Sequence, residues 1–154
     1  MRGILQKVNY AKVLENESTV LEIKEGVCVF VGISEKDVEK DVEYIAKKIL
    51  GVRVFDHDST SWKKSVFDCK KEVLCVPQVE LLKEIKVGDQ PEIPSPMAKG
   101  KAKNLYEKLI EKLSKLYDPT KVFSCEFGAK SDISMSNDGP VTIFLESQKA
   151  TIIG

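Results

Sequence analysis

Cleaving an ester or amide usually takes a nucleophile, a base or a metal, and this sequence offers few side chains for any of them. Its one histidine, His57, stands in Asp56-His57-Asp58. A ring between carboxylates in a polar loop is expected to be solvated, with a catalytic base as the alternative. The four cysteines, Cys28, Cys69, Cys75 and Cys125, form no Cys-x-x-Cys pair. Cys28 and Cys75 lie in apolar runs, so reduced and mostly buried thiols are expected, with a metal site or reactive thiol as the alternative. No Gly-x-Ser-x-Gly, phosphate-loop or Gly-x-Gly-x-x-Gly pattern occurs. Two stretches remain unusual. One is Val76-Pro77-Gln78-Val79-Glu80-Leu81, where an apolar run meets polar residues. The other is Ser136-Asn137-Asp138-Gly139-Pro140-Val141-Thr142, with Gly-Pro directly before an apolar run. Taken alone, that Gly-Pro reads as a plain turn.

The elements that must position these stretches are legible in outline. Alternation predicts strands over Gly3 to Val8, Lys12 to Leu14, Val20 to Ile23 and Val27 to Ile33, with a hairpin turn at Asn16-Glu17. Ser34 with Asp37 three residues on predicts a helix start. Val38, Val42, Ile45, Ala46, Ile49 and Leu50 share its apolar face, and Gly51 is its stop. Val52 to Phe55 and Val73 to Val76 read as strands, Asp56 to Ser61 as a polar loop, and Pro77 as a strand end or edge. Lys83 to Pro96 reads as irregular, and long loops of this kind are often functional. A second helix is expected from about Ala98 to Tyr117, with Leu105, Leu109, Leu113 and Leu116 buried, ended by Asp118-Pro119. Strands return at Val122 to Phe127, Ile133 to Met135, Val141 to Leu145 and Ala150 to Ile153. Strands with two helices between them predict a β-rich α/β domain, one domain over residues 1–154.

Lys plus Arg and Asp plus Glu are both 24, so the formal net charge is zero. Any nucleic-acid contact must therefore use a local patch, not overall charge. Lys99, Lys101 and Lys103 form such a candidate patch, and a solvated helix face is the alternative. No apolar run approaches the roughly 20 residues of a membrane span, and the N-terminus lacks an apolar signal region. A cytoplasmic location with no membrane contact is expected.

Several stretches together carry a resemblance. They are Leu5-Gln6-Lys7-Val8, Val29-Phe30-Val31-Gly32, Lys48 to Phe55, Phe127-Gly128-Ala129 and, most specifically, Asn137-Asp138-Gly139-Pro140-Val141-Thr142. Over nearly the whole chain they resemble the D-aminoacyl-tRNA deacylase family, whose signature Asn-x-Gly-Pro-Val-Thr is met without a mismatch. The resemblance implies a compact domain with a barrel-like β core and two main helices. It also implies a homodimer with active sites at the interface, a cytoplasmic hydrolase acting on aminoacyl-tRNA, and no cofactor or metal. In the family the Gly-Pro bond is cis and reaches into the other subunit's site, so Gly139 and Pro140 are expected there. The same resemblance makes Gln78 and Glu80 catalytic candidates, and Lys7, Pro77, Val79, Gly88, Pro91, Asn137, Val141 and Thr142 substrate-binding candidates. It also explains the missing nucleophile: an activated ester needs a positioned water and backbone donors.

The match has departures. Where the family has Ser-Gln-x-Thr-Leu, this chain has Pro77-Gln78-Val79-Glu80-Leu81. Gly88 and Pro91 are kept from another family stretch without its lysine and aromatic residue, and Lys7 replaces an arginine with a planar fork. Pro77-Gln78 is similar to a relaxed-chirality branch that removes L-Ala from non-cognate tRNA and whose Gly-Pro bond is trans. That branch, and a nucleic-acid-binding relative of low activity, are the alternatives.

Overall fold

The computed structural model describes residues 1–85, 88–92 and 97–148. The first strand, β1 (Arg2–Glu15), is followed by β2 (Thr19–Ile23), β3 (Gly26–Gly32), helix α1 (Glu39–Gly51), β4 (Arg53–His57), β5 (Thr60–Ser65) and β6 (Glu72–Pro77). After a 3-10 turn (Val79–Leu82) come β7 (Glu84–Ile85), β8 (Pro91–Glu92), helix α2 (Lys99–Leu116), β9 (Val122–Ser124) and β10 (Ser131–Glu146). Six strands form one mixed sheet in the order β10-β1-β3-β6-β9, with β2 also pairing β1. β3, β6 and β9 run parallel and the other pairs are antiparallel.

The sheet curls into the expected barrel-like core. Beyond β2, the Lys24 amide donates to the Glu72 carboxylate at 2.8 Å, which brings the free side of β2 to the start of β6. One apolar cluster, including Val8, Val13, Ile23, Cys28, Leu74 and Val76, fills the inside of this curl. The larger cluster lies between the sheet and the two helices, where Ile45, Ile49, Leu109 and Leu113 meet Leu5, Val29 and Val73. Tyr106 ties α2 to the sheet, its hydroxyl donating between the carbonyls of Cys75 (3.1 Å) and Cys125 (3.0 Å).

Several sequence expectations need correction. The strands expected at Gly3 to Val8 and Lys12 to Leu14 are one strand, β1, because its register shifts near Lys7 and Asn9 absorb the irregular pattern. Likewise β10 joins the two strands expected at Ile133 to Met135 and Val141 to Leu145. The Asp56 to Ser61 loop is the tip of a hairpin, since β4 runs on to His57 and β5 begins at Thr60, with Asp58 and Ser59 at positive φ between them. Ser34 and Asp37 close a turn ahead of α1, and the helix starts only at Glu39, where the Asp41 carboxylate accepts the Val38 amide at 2.9 Å. Val38 is therefore 57% exposed instead of buried. Leu116, in the last turn of α2, is 40% exposed instead of buried. The strand expected from Val122 to Phe127 stops at Ser124, since the chain turns at Phe127-Gly128.

Other expectations hold. Asn16 and Glu17 both have positive φ, as a tight hairpin requires. The four cysteines are free, with Cys28, Cys75 and Cys125 buried and Cys69 partly so. Part of the irregular stretch 83–96 is a short exposed arm made by β7 and β8. The strand expected over 150–153 lies outside the described residues. Among those described, no helix is long and apolar enough to cross a membrane.

Candidate active site

The parallel strands β3 and β6 end side by side at Val31 and Pro77. There the Gln78 amide donates to the Val31 carbonyl at 2.8 Å, and the chain coils into the Val79–Leu82 turn. The turn lies directly on Gly32. A Cβ there would stand 3.0 Å from Leu81 Cβ and 3.2 Å from the Gln78 carbonyl oxygen, so only glycine lets the turn seat without displacement. Arg2 secures it from below, its Nη1 donating to the Leu81 carbonyl at 3.0 Å.

A cavity of about 410 Å³ opens beside this turn. Pro77, Val79 and Glu80 line it, together with Lys99 and Ala102 of α2. Ile33, Leu82 and Met97 make its apolar lining, and the turn Phe127-Gly128-Ala129 closes the far side. This is a volume that suits a small organic group. No Ser, Thr, Cys or His occurs among the described lining residues. The Phe127 and Gly128 amides donate to no described residue, whereas their neighbours Glu126 and Ala129 do donate. Two unengaged backbone donors at a pocket wall can bind a developing negative oxygen. Gln78 does not line the cavity; its side chain donates to the Glu80 carboxylate and so orients it.

The second unusual stretch forms a bulge in β10. Gln6 pairs with Thr142 and Val8 with Asn137, so Lys7 alone stands opposite the four residues 138–141. Asn137 closes the bulge. Its side-chain oxygen accepts the Val141 amide at 3.1 Å, and its side-chain nitrogen donates to Thr142 Oγ1 at 3.3 Å. Lys7 Nζ lies 3.2 Å from Asp138 Oδ2 and rests over the Phe55 ring at 5.4 Å. The Gly139–Pro140 bond is cis, and Gly139 has φ +126°. Gly139 and Pro140 are exposed at the tip. Each residue of the signature thus has a local task, one that the sequence alone does not reveal.

The bulge is remote from its own cavity. It lies opposite Lys7, whereas the cavity lies at the end of the sheet where Arg2 pairs with Gly32. Along β1 the five residues from Arg2 to Lys7 rise roughly 17 Å. Of the remaining candidates, Gly88 and Pro91 belong to the exposed β7–β8 arm and do not join the described cavity lining. Lys101 is exposed on α2, and Lys103 lines a different cavity. His57 is exposed and pairs with Asp58 at 3.1 Å. Sequence reasoning missed Ile33, Leu82, Met97 and Ala102, whose apolar character gave no signal apart from core.

Burial sets the electrostatics around this region. It pushes the Cys28 thiol up to about 12 and the Cys75 thiol further still. Burial, with the Glu15 carboxylate beside it, also pushes Cys125 up to about 12. None of these three is therefore a nucleophile at neutral pH.

Comparison with known proteins agrees with the geometry. The family model for D-Tyr-tRNA(Tyr) deacylase matches residues 4–146. A D-aminoacyl-tRNA deacylase of Drosophila melanogaster is 42% identical over 147 residues, covering 96% of this chain and 92% of that one. A D-aminoacyl-tRNA deacylase of Thermosipho melanesiensis is 39% identical over 149 residues, covering 97% and 99%. A solved structure described as c-Myc DNA Unwinding Element Binding Protein superposes with a TM-score of 0.90 at 38% identity, covering 96% of this chain and 99% of that one.

Proposed function

The chain belongs to the D-Tyr-tRNA(Tyr) deacylase family, and from that premise we propose how it hydrolyses the ester between a D-amino acid and tRNA. The observation that carries the reading is the cavity beside Pro77, Val79 and Glu80, with two unengaged amides in its wall and no nucleophilic side chain among its described lining. The aminoacyl ester enters this cavity. The Phe127 and Gly128 amides bind the carbonyl oxygen as water adds to the carbonyl carbon. The bond to the ribose oxygen then breaks, that oxygen takes a proton, and the free amino acid and intact tRNA leave. The neighbouring ribose hydroxyl assists, so the protein contributes chiefly position. Glu80, oriented by Gln78, faces the ester from the opposite wall. Lys99 and Lys101 supply cations for the RNA phosphates.

Selection between mirror images is assigned to the Asn137–Thr142 bulge of a second copy. Set back along β1 from its own cavity by the five residues from Arg2 to Lys7, the bulge is offered to another subunit's cavity. β10 is an edge strand with Phe144 55% exposed, and such an edge is ordinarily covered. A two-fold dimer seats each bulge at the other copy's cavity. With Gly139 at the tip, main-chain atoms approach the substrate closely, and an L side chain collides where a D side chain points away.

Incubation with D-Tyr-tRNA, L-Tyr-tRNA and L-Ala on a non-cognate tRNA tests this reading. Loss of the D-ester alone is expected. Loss of the L-Ala ester favours the relaxed-chirality reading. RNA retained in a salt-sensitive way without hydrolysis favours a nucleic-acid-binding role.

A further inference from the structure

A second cavity, also about 410 Å³, lies one turn further along α2 and shares Phe127 as a wall with the first. Its other sides are Lys103 and Tyr106 of α2, Leu21 of β2, and Ser124 to Glu126. A substrate that is a polymer must continue past the site where its last residue reacts. Lys99 lines the first cavity and Lys103 the second, four residues apart on one helix and therefore about 6 Å along it. Among the described residues Lys103 is held by an exposed contact to Glu107 at 3.9 Å, which is too weak to keep it from a phosphate.

The carboxylates in this cavity select what enters with the phosphate. Glu15 is 6% exposed and already accepts the Glu126 amide at 2.7 Å, so it is engaged, and Glu107, also in the lining, stands 3.9 Å from Lys103. Glu126 is exposed and lines the same cavity. A free carboxylate repels a phosphate but matches the exocyclic amino group of cytosine. Phe127, half-buried between the cavities with its ring centroid 6.0 Å from that of Tyr106, offers a ring at the crossing.

We propose that this cavity binds the cytidine preceding the terminal adenosine of tRNA, with Lys103 at the phosphate that joins it to that adenosine and Glu126 at its amino group. The proposal deepens the deacylase reading and rests on it. The adenosine and its ester occupy the first cavity, the strand crosses Phe127, and the preceding nucleotide drops into the second.

The test compares D-tyrosyl esters of adenosine, of the dinucleotides CpA and UpA, and of whole tRNA. The native protein is expected to show kcat/KM about tenfold higher for the CpA ester than for the adenosine or UpA esters. Glu126→Ala removes the difference between CpA and UpA, and Lys103→Gln lowers the CpA gain, while both keep native turnover of the adenosine ester. Equal kcat/KM for the CpA and adenosine esters in the native protein overturns the proposal, as do variants that depress all esters alike. Failure to hydrolyse any of the esters, whole D-Tyr-tRNA included, overturns the deacylase reading itself, and is distinguishable from equal turnover of the CpA and adenosine esters.

Discussion

Lys7 Nζ and Asp138 Oδ2 stand 3.2 Å apart where one residue of β1 faces the four residues 138–141 of β10. Lys7 is only 16% exposed along its side chain, and its ammonium rests over the ring of the buried Phe55. The pair anchors the bulge from the strand side, and Asn137 closes it from within. A lysine makes one point contact where an arginine makes a fork.

Lys7→Ala is therefore expected to lower thermal stability by about 1 kcal/mol, or roughly 2–4 °C, through lost packing and a weakened pair. Deacylation of D-Tyr-tRNA falls further than stability does, because the bulge loses its anchor. Lys7→Arg keeps both. Calorimetry with single-turnover kinetics checks this; equal losses in the two variants exclude an anchoring role.

Glu80→Thr replaces a carboxylate at the cavity with a neutral hydroxyl. A negative side chain near a developing oxyanion opposes catalysis, so kcat for the D-ester is expected to rise several-fold with KM little changed. A fall in kcat would mean that the carboxylate itself takes part in the reaction.

Tyr106→Phe deletes the hydroxyl between the Cys75 and Cys125 carbonyls. Cys75 keeps the Cys125 amide as a donor, so the cost falls mainly on the Cys125 carbonyl, about 1–3 kcal/mol. Because Cys125 leads directly into Phe127, KM for the ester is expected to rise as well. Denaturant melts and steady-state kinetics read the two effects separately.

The buried thiols set an alkaline limit. Their folded-state pKa is raised by burial, so above the ordinary value of 9.0 the folded protein keeps these protons more tightly than the unfolded chain does. Stability is fully present below the ordinary thiol value of 9.0 and is lost as pH rises toward about 12. Urea midpoints across that window should fall, and less steeply in Cys28→Ala. In the native protein at neutral pH, Cys69 is the thiol expected to react with a disulfide reagent.

Much of the fold was legible because its apolar patterns are regular. The interior stretches of α1 and α2 and the run Val27 to Ile33 sit where periodicity put them. β5 was hidden because its residues apart from Trp62 are polar and all but its last two are solvent-exposed, so no alternation marks it. The start of α1 was misplaced because Ser34 and Asp37 build a capping-like turn without a helix behind it. At the site, Pro77 to Glu80 and Phe127 to Ala129 meet only through folding, since nearly fifty residues of chain separate them. Spacing in sequence could not bring them together. The resemblance supplied the Gly-Pro motif, but only the register between Gln6 and Val8 shows that it is an overhanging bulge.

Gly139 offers the most direct test of the claim that main chain, not a reactive side chain, separates mirror images. At φ +126°, a Cβ would sit 2.7 Å from Val141 Cγ2, so Gly139→Ala must distort the bulge at a cost of about 1–3 kcal/mol. The measurement is the ratio of kcat/KM for D-Tyr-tRNA to that for L-Tyr-tRNA, in native protein and variant. The ratio is predicted to drop at least tenfold, with slower loss of the D-ester and new loss of the L-ester. An unchanged ratio in a folded variant would contradict the account.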